Sequence, residues 1–448
     1  MMTVGNIQLE LIDKAKKYLE KKSNEDINVH SSGRCYFLSW AATPGYAILK
    51  LWQEGFKNIF YIFKIFFKDI ISISSFYNYR LINELETNIK YDKIIVSWGF
   101  KNSFLPDGSY QDRYFKINSK DADGALWFLI YFDKVLPEKI NNNILIFTKS
   151  KNIFEYNFFY LLKIIIKKII SSKFSLKTFF HKASGYTEFS NIVWNELKRF
   201  VKSDIKTIIM PYECQPYQNK IFKACKKINN KIKTIGYVHS FPAALPTNYI
   251  FRDGSPEKLI INGDDQHYCF KKHLNWSNRQ LKILPSIKYS KNPNKMSGYI
   301  YLPYSLPSTD IIIKSLQNLL YSNKKKVISN LIVKNHPLTE NSRKHLKLIK
   351  KINKLLLKYK NSLLTEDNTN RLSVFIGSTS TPIEALERNL EVIHICDDPV
   401  FQSYSSELWP SIKVKKIDIN TYEYHLLKKG SLIQLGDSSK VFKEDYLN

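Results

Sequence analysis

Polar turns follow two short apolar runs in the last third of the chain. The first run, Leu331–Lys334, leads into a turn that contains His336 and Pro337, and the second, Ser373–Gly377, leads into the hydroxyl-rich stretch Ser378–Thr381. Residues that follow parallel strands gather at the carboxyl edge of a sheet, where imidazole, hydroxyl and free backbone N–H groups can bind an anion. The two turns therefore predict a phosphate site, and their occurrence in one domain indicates a nucleotide.

The second turn has two interpretations, because it also precedes a predicted helix. Ser378, Thr379 and Ser380 offer hydroxyl groups to a phosphate, whereas Thr381, which is followed by proline, is typical of a helix N-cap. Glu384 either reaches a nucleotide ribose or completes a capping box with Thr381. One turn can serve both purposes, so the sequence leaves both interpretations open.

A glutamate and a histidine follow predicted strands in the first two-thirds of the chain. Glu213 follows the run Lys206–Met210, and His239 follows Thr234–Val238. The carboxyl edge of this sheet should line a cleft, where both side chains can bind an acceptor or a carboxylate on a donor. Asp253, within an Arg-Asp-Gly-Ser turn, is a further polar candidate for substrate binding.

Strand and helix patterns alternate along the whole chain. Short apolar runs of strand length are separated by helical periodicity. The predicted strands are Arg34–Trp40, Lys93–Trp98, Leu126–Phe132, Asn143–Thr148, Lys206–Met210, Thr234–Val238, Leu259–Asn262, Tyr299–Leu302, Leu331–Lys334, Ser373–Gly377 and Glu391–Ile395, with later helices from about Thr309, over Asn341–Lys360 and over Pro382–Arg388. This order predicts an α/β fold with parallel sheets covered by helices.

The polar stretch Lys288–Ser297 is typical of a linker between domains. We therefore predict two Rossmann-like domains that face a central cleft, one over residues 1–290 and one over residues 298–448. The length of 448 residues is sufficient for each domain to bury its own core.

The pairing of a His-Pro turn with a later Ser/Thr-rich turn resembles the bacterial sialyltransferases, polysialyltransferases and capsule Kdo transferases. Those enzymes have the two-domain GT-B fold and use CMP-activated acidic sugars. They also carry a motif of two acidic residues and a glycine in the N-terminal domain. Asp107 and Gly108 match its second and third positions, but Pro106 occupies the first acidic position.

Three further segments are similar to a broad group of surface-carbohydrate biosynthesis proteins. They are Tyr212–Gln218, Gly236–Ser240 and Arg252–Pro256. The likeness extends over most of the chain, although each motif is short, and it is the order and spacing of the motifs that carry it.

The resemblance implies a role for each matched residue in the N-terminal, acceptor-side domain. Asp107 would deprotonate the acceptor hydroxyl, while Gly108 and Ser109 would lie against the substrate. A plain β-turn is the alternative for this Pro-Asp-Gly-Ser sequence. Asp112 and Asp253 are rival bases.

In the C-terminal, donor-binding domain, the resemblance implies that His336 contacts the CMP phosphate and can donate a proton as it leaves. Pro337 fixes the turn, and Ser378, Thr379 and Ser380 would bind the phosphate as the family's serines do. GT-B enzymes usually work without a catalytic metal, and no Asp-x-Asp motif follows a predicted strand in this chain. We therefore expect no metal and no cofactor.

The composition limits the partners and the compartment. The formal net charge is +28, from 68 basic and 40 acidic residues. This charge reflects either a bias of the coding sequence or an anionic partner, and nucleic acid is not predicted because no nucleic-acid-binding signature is present. Five cysteines without a C-x-x-C pair, and an N-terminus without the apolar core of a signal peptide, predict a cytoplasmic protein.

Two segments combine lysine with large apolar side chains. They are Phe56–Lys68 and Phe158–Ile170, and lysine interrupts both too often for them to span a bilayer. As helices they fit the interface of an anionic membrane, which predicts peripheral contact with the inner face of the cytoplasmic membrane. The alternative is that both pack on a domain core.

The sequence thus predicts a glycosyltransferase that moves a nonulosonic or Kdo-type sugar from CMP onto a surface glycan or its lipid-linked precursor. The resemblance implies inversion at the anomeric carbon. Two alternatives stay open. One is another GT-B-like enzyme of cell-surface polysaccharide synthesis, such as a polyol-phosphate transferase or a UDP-sugar 2-epimerase. The other is a basic membrane adaptor without enzymatic activity.

Overall fold

A computed structural model provides the structure of the chain. It describes residues 3–23, 29–38, 43–76, 78–85, 90–122, 124–149, 158–171, 183–289, 296–360 and 371–447. Within these ranges the strands form two sheets, and each sheet is mostly parallel. The predicted α/β architecture of two Rossmann-like halves is confirmed.

The first sheet is formed by the strands between Tyr79 and Ile283. They are β1 (Tyr79–Leu81), β2 (Lys93–Gly99), β3 (Ala125–Tyr131), β4 (Ile144–Lys149), β5 (Thr207–Pro211), β6 (Lys233–Tyr237), β7 (Lys258–Ile261) and β8 (Leu281–Ile283). Their spatial order is β1-β4-β3-β2-β5-β6-β7-β8, and only the β1 edge strand is antiparallel to its neighbour. The central strands β3, β4 and β5 are almost entirely buried, which explains why they consist of nearly continuous apolar runs.

Helices precede this sheet and connect its strands. They are α1 (Val4–Ser23), α2 (Pro44–Glu54), α3 (Ile59–Phe76), α4 (Phe158–Ser171), α5 (Gly185–Leu197), α6 (Pro216–Ile228) and α7 (Asp264–His273). Local sequence features determine where several of these helices begin. In α2, Thr43 accepts a hydrogen bond from the backbone N of Tyr46 at 3.1 Å, and Pro44 occupies the first turn.

The second sheet is formed by the strands between Tyr299 and Leu426. They are β9 (Tyr299–Tyr301), β10 (Ile332–Lys334), β11 (Leu372–Ile376), β12 (Glu391–Ile395), β13 (Ile412–Asp418) and β14 (Thr421–Leu426), in the spatial order β10-β9-β11-β12-β14-β13. The first four strands are parallel, and the β13–β14 hairpin is antiparallel. The accompanying helices are α8 (Thr309–Leu320), α9 (Lys325–Ile328), α10 (Arg343–Leu357), α11 (Thr381–Glu387), α12 (Pro399–Gln402) and α13 (Ser439–Tyr446).

Contacts between the two halves are extensive. The ring of Phe241, after β6, lies 4.7 Å from the ring of Trp409, and Gln8 Nε2 of α1 donates to the carbonyls of Val400 and Ser403 at 2.9 Å each. The last helix, α13, returns to the first sheet, where Phe442 stacks on Phe115 at 4.9 Å. These contacts hold the carboxyl edges of the two sheets opposite each other.

The predicted strand Arg34–Trp40 is wrong. Residues Gly33–Cys35 form a short 3-10 helix, and the next three residues belong to no strand; residues 39–40 lie outside the described ranges. The backbone carbonyls of Tyr36 and Phe37 accept instead from the hydroxyls of Thr43 and Thr247, each at 3.0 Å. An apolar run can thus be buried as a connection when side chains satisfy its carbonyl groups.

Candidate active site

A cavity of about 550 Å³ lies between the carboxyl edges of the two sheets. The first sheet contributes Glu213 and His239, the residues that follow β5 and β6. The second sheet contributes the turn after β10, which contains His336, and the turn Ser378–Thr381 after β11. Four separate segments that the sequence selected therefore meet in one cavity.

Hydrogen bonds within the turn after β10 fix the orientation of His336. Asn335 Oδ1 accepts from His336 N and from Thr339 Oγ1, each at 3.0 Å. The backbone N of Leu338 donates to Nδ1 of His336 at 3.2 Å, so the proton of the neutral ring resides on Nε2. Burial, with a smaller contribution from His345, lowers the pKa of His336. The side chain thus offers a neutral Nε2–H donor in the cavity.

The turn after β11 begins with a glycine, and any other residue at this position would strain the backbone. Gly377 has φ of 67°, and a Cβ atom there would lie 3.0 Å from Cγ of Pro307. Ser378, Thr379 and Ser380 then line the cavity with Thr381, and Oγ1 of Thr379 lies 2.9 Å from Oγ1 of Thr381. This sequence of hydroxyl groups is suited to oxygen-rich anions.

Glu384 does not line the cavity, and it forms no capping box. Its Oε1 accepts from Nε and Nη2 of Arg388 at 3.1 and 2.8 Å, within the same helix. Ser380 precedes α11 without a side-chain capping bond, whereas Thr379 Oγ1 accepts from the backbone N of Thr381 at 3.2 Å. The carboxylate is therefore occupied by an ion pair with Arg388, and neither predicted role of Glu384 is fulfilled in this arrangement.

Glu213 and His239 form a close pair on the opposite side of the cavity. Oε1 of Glu213 lies 3.5 Å from Nε2 of His239, and Oε2 of Glu213 accepts from Nε2 of Gln215 at 2.9 Å. The His239 ring is packed edge-on against Trp98 and Tyr114, with centroid distances of 5.6 and 4.7 Å. The aromatic rings fix the imidazole, and the imidazole in turn borders the carboxylate.

Burial shifts both pKa values of this pair in the direction of the neutral forms. It raises the pKa of Glu213, against the hydrogen bond from Gln215 and the charge of Lys288, which lower it. Burial, with a smaller contribution from the charge of Lys288, lowers the pKa of His239 to about 3. His239 is therefore uncharged at neutral pH, and Glu213 is a stronger base than an ordinary glutamate. A carboxylate with a raised pKa in a cleft is typical of a catalytic acid or base.

The backbone that carries Glu213 is held in an uncommon conformation. Cys214 is buried and has φ of 61°, in the left-handed region that residues other than glycine rarely adopt. Oε1 of Gln218 accepts from the backbone N of Glu213 at 3.0 Å and of Gln215 at 2.9 Å, and the carbonyl of Cys214 accepts from Nη2 of Arg252 at 3.2 Å. Backbone strain of this kind is often found at functional sites.

Asp107 lies at the opposite edge of the first sheet. The backbone N of Asn141, three residues before β4 begins, donates to the carbonyl of Gly108 at 3.0 Å. Lys120, five residues before β3 begins, donates to Oδ2 of Asp107 at 2.7 Å. Because β3 and β4 run parallel to β5 and β6, this turn is at the amino edge, far from Glu213. This position does not fit a base in the cleft.

The hydrogen bonds of this turn support the alternative interpretation. Oδ1 of Asp107 accepts from the backbone N and the hydroxyl of Ser109, at 2.9 and 2.6 Å, and Gly108 has φ of 84°. The hydrogen bond from Lys120 holds the pKa of Asp107 well below its usual range. Asp107, Gly108 and Ser109 therefore have the contacts of a structural β-turn.

The two rival bases also lie outside the cavity lining. Asp112 is buried and accepts from Ser97 Oγ at 2.5 Å and from the backbone N of Phe115 at 2.7 Å, and burial raises its pKa to about 6. Asp253 is half exposed and pairs with Lys223 at 2.5 Å. Asp112 stabilises a turn, and Asp253 forms an ion pair with the largely buried side chain of Lys223.

Sequence reasoning missed two lysines that line the cavity. Lys334 ends β10, and its Nζ lies over the rings of Tyr299 and Tyr301, 5.2 and 5.6 Å from their centroids. Lys288, in the stretch predicted as a linker, donates to Ser240 Oγ at 3.0 Å. The position of Lys334 two residues before His336 was a usable signal, whereas that of Lys288 depends on the tertiary fold.

The described ranges contain no cluster of three or more His, Cys, Asp or Glu side chains that could hold a metal ion. The expectation of a metal-independent reaction stays a prediction. Pro337 follows His336 in the cavity wall and begins a short 3-10 helix, as expected of a proline that fixes the turn.

Comparisons with known proteins give little beyond these observations. No protein-family model and no curated protein matches the chain. Among solved structures, the chain has a weak similarity to an α,α-trehalose 6-phosphate synthase from Burkholderia multivorans, with 11% identity and a TM-score of 0.32 over 66% of this chain and 80% of that one. A similarity this low carries no argument about the function of the chain.

Proposed function

We propose that the protein is a glycosyltransferase that transfers a sugar from a nucleotide donor to a hydroxyl acceptor in the cleft between the two sheets. One observation carries the proposal. Glu213, a carboxylate with a raised pKa, borders the same cavity as His336 and the hydroxyls of Ser378, Thr379 and Ser380. The first sheet thus supplies a base, and the second supplies donors for a phosphate.

The reaction assigns a step to each side of the cavity. Glu213 accepts the proton of the acceptor hydroxyl as that oxygen forms a bond with the anomeric carbon of the sugar. The bond between this carbon and the phosphate oxygen breaks, and the nucleotide leaves with the electron pair. Nε2–H of His336, the Ser/Thr hydroxyls and Lys334 stabilise the negative charge on the departing phosphate.

The geometry favours Glu213 over Asp107 as the base. Glu213 borders the cavity, whereas Asp107 is engaged by Ser109 and Lys120 at the opposite edge of the sheet. His239 acts as a positioning residue, because its neutral ring borders the carboxylate at 3.5 Å without adding a charge. A separation of this length can shorten when substrate binds.

We further propose a CMP-activated acidic sugar, of the nonulosonic or Kdo type, as the donor. The motif resemblance of the His336 and Ser378 turns supports CMP, and the charges in the cavity support an acidic sugar. Lys288 and Lys334 add two cations to the lining, in which Glu213 is the acidic residue. A carboxylate and a phosphate on one donor match this distribution. The acceptor would be a surface glycan or its lipid-linked precursor, reached from the cytoplasm, and inversion follows from the same resemblance.

Two measurements test the proposal. The first compares protection from thermal unfolding by CMP and by UDP, and we expect CMP alone to protect. The second incubates the protein with CMP-Kdo, CMP-sialic, CMP-legionaminic and CMP-pseudaminic acids and a glycan acceptor, and measures released CMP. Protection from thermal unfolding by UDP but not by CMP would favour a UDP-sugar enzyme. No CMP release from any donor, with unaltered behaviour of a His336→Ala variant, would favour a non-enzymatic adaptor.

A further inference from the structure

A row of phenylalanines is exposed on α3 and on the turn before it. Phe56, Phe60, Phe63 and Phe67 are 77%, 87%, 61% and 66% exposed. Within α3, the spacing of Phe60, Phe63 and Phe67 by three and four residues places them on one face of the helix, and Phe56 lies in the turn that precedes it. Large aromatic side chains in a continuous row rarely face water in a soluble protein without a binding role.

The core does not require this row, because α3 has a second apolar face. Ile62, Ile65 and Ile73 are buried, with exposed fractions of 4% or less, and they are offset from the phenylalanines along the helix. The helix is therefore apolar on both sides, and only one side packs on the protein. The interpretation that this segment simply packs on a core does not account for the phenylalanine row.

Lysines flank the row, and no acidic side chain balances them within α3. Lys57, Lys64 and Lys68 are exposed beside the phenylalanines. The acid of α3, Asp69, is buried, and its Oδ1 accepts from the backbone N of Gly185 at 3.1 Å. Aromatic rings surrounded by cations are complementary to a surface that is apolar inside and anionic outside.

A second helix with the same composition packs against α3. In α4, Leu162, Ile166 and Ile170 are 42%, 47% and 61% exposed and recur every four residues. Lys163 and Lys167 are exposed next to them, and the helix has no acidic residue. Neighbouring helices thus show the same combination of exposed apolar side chains and lysines.

We propose that the outer faces of α3 and α4, with the preceding turn, form a docking surface for an anionic lipid bilayer. The phenylalanines enter the interface between head groups and acyl chains, and the lysines contact the anionic head groups. In the described residues, no helix is both long and apolar enough to cross a membrane, so the contact is peripheral. This inference does not depend on the chemistry of the cleft.

Flotation of the full chain with vesicles tests the proposal. We expect binding to vesicles of equal parts phosphatidylcholine and phosphatidylglycerol, weaker binding to phosphatidylcholine alone, and loss of binding at high salt. The variant F60S/F63S/F67S should bind roughly tenfold less for each ring removed. The variant K57Q/K64Q/K68Q should bind about a hundredfold less at low salt.

Matched control variants separate binding through this surface from nonspecific hydrophobic adsorption and from the effect of net charge. The variant L357S/I419S/L427S removes three apolar side chains that are 64% to 69% exposed elsewhere. The variant K344Q/K347Q/K351Q removes the same charge from the exposed side of α10. Both should bind anionic vesicles as the natural chain does. Thermal unfolding of every variant checks that all have folded.

Three results would overturn the proposal. The first is no binding of the natural chain to anionic vesicles, and the second is equal loss in the control variants. The third is a natural chain that binds no vesicles but self-associates in sedimentation velocity, with the self-association abolished in F60S/F63S/F67S. The phenylalanine row would then be an interface between copies of the chain.

Discussion

Oε1 of Glu213 lies 3.5 Å from Nε2 of His239, where the parallel neighbours β5 and β6 end side by side. The two residues are 26 positions apart in the sequence numbering, since 239 − 213 = 26, and the parallel sheet brings them together. Burial keeps the imidazole neutral and raises the pKa of the carboxyl group. The pair therefore provides one proton acceptor at the edge of the cleft.

We predict that Glu213→Gln lowers the rate of transfer by roughly a hundredfold to ten-thousandfold, because the amide cannot accept the acceptor's proton. CMP affinity should stay nearly unchanged, since the proposed nucleotide site lies at the other sheet. Release of CMP in the presence of acceptor measures the rate, and calorimetry measures the affinity.

Asp107→Asn is the matched control for this variant. It makes the same kind of change at the residue that the motif resemblance selected, and we expect it to retain transfer. Loss of transfer in Asp107→Asn with normal activity in Glu213→Gln would return the base to Asp107 and would contradict the geometry.

We predict that the rate of transfer falls as pH decreases through the pKa of Glu213, because the reaction needs the carboxylate. Burial raises that pKa, so the fall should occur above the ordinary range of a glutamate. His239, with its pKa lowered to about 3, should add no titration at neutral pH. Lys288→Met removes a cation that lowers the pKa of Glu213, and it should therefore move the fall to higher pH.

The pH–rate profile of Lys271→Met provides the comparison. Lys271 is exposed on α7 and does not line the cavity. Its profile should coincide with that of the natural chain. A Lys288→Met profile that does not move, or moves to lower pH, would show that the titrating group is not Glu213.

The part of the site that the sequence could predict is the set of residues that directly follow parallel strands. Glu213, His239, His336 and Ser378 each follow a parallel strand by two residues, so the carboxyl-edge rule alone puts them in the cleft. The boundaries of β12, Glu391–Ile395, agree with the predicted strand in full.

The rule does not apply to Asp107. It follows β2 by eight residues, since 107 − 99 = 8, and the chain between β2 and β3 folds back over the sheet, with Tyr110 and Phe115 packed on its face. The path of so long a connection depends on tertiary packing. The β13 strand was missed for a related reason, because its lysines and partly exposed residues conceal the apolar pattern.

We predict that His336→Ala weakens binding of CMP by roughly tenfold to a hundredfold, the usual value of a hydrogen bond to a charged group. The Nε2–H group would contact the phosphate, so cytidine, which has no phosphate, should bind equally to both proteins. Calorimetric titration with the two ligands separates a lost phosphate contact from a general distortion. An equal loss of affinity for CMP and cytidine would contradict the proposed contact.

A comparison of two glycines tests whether the turn after β11 binds the nucleotide. Gly377 and Gly298 have φ of 67° and 85°, so alanine should cost about 1–2 kcal/mol of unfolding free energy at either position. Only Gly377 is crowded, because its added Cβ would lie 3.0 Å from Pro307 Cγ, whereas nothing lies within 4 Å at Gly298. Gly377→Ala should therefore also displace Ser378 and weaken CMP binding. Urea unfolding measures the stability of both variants, and calorimetric titration measures their affinity for CMP. If Gly377→Ala bound CMP as tightly as Gly298→Ala despite its lost stability, the proposed site would be contradicted.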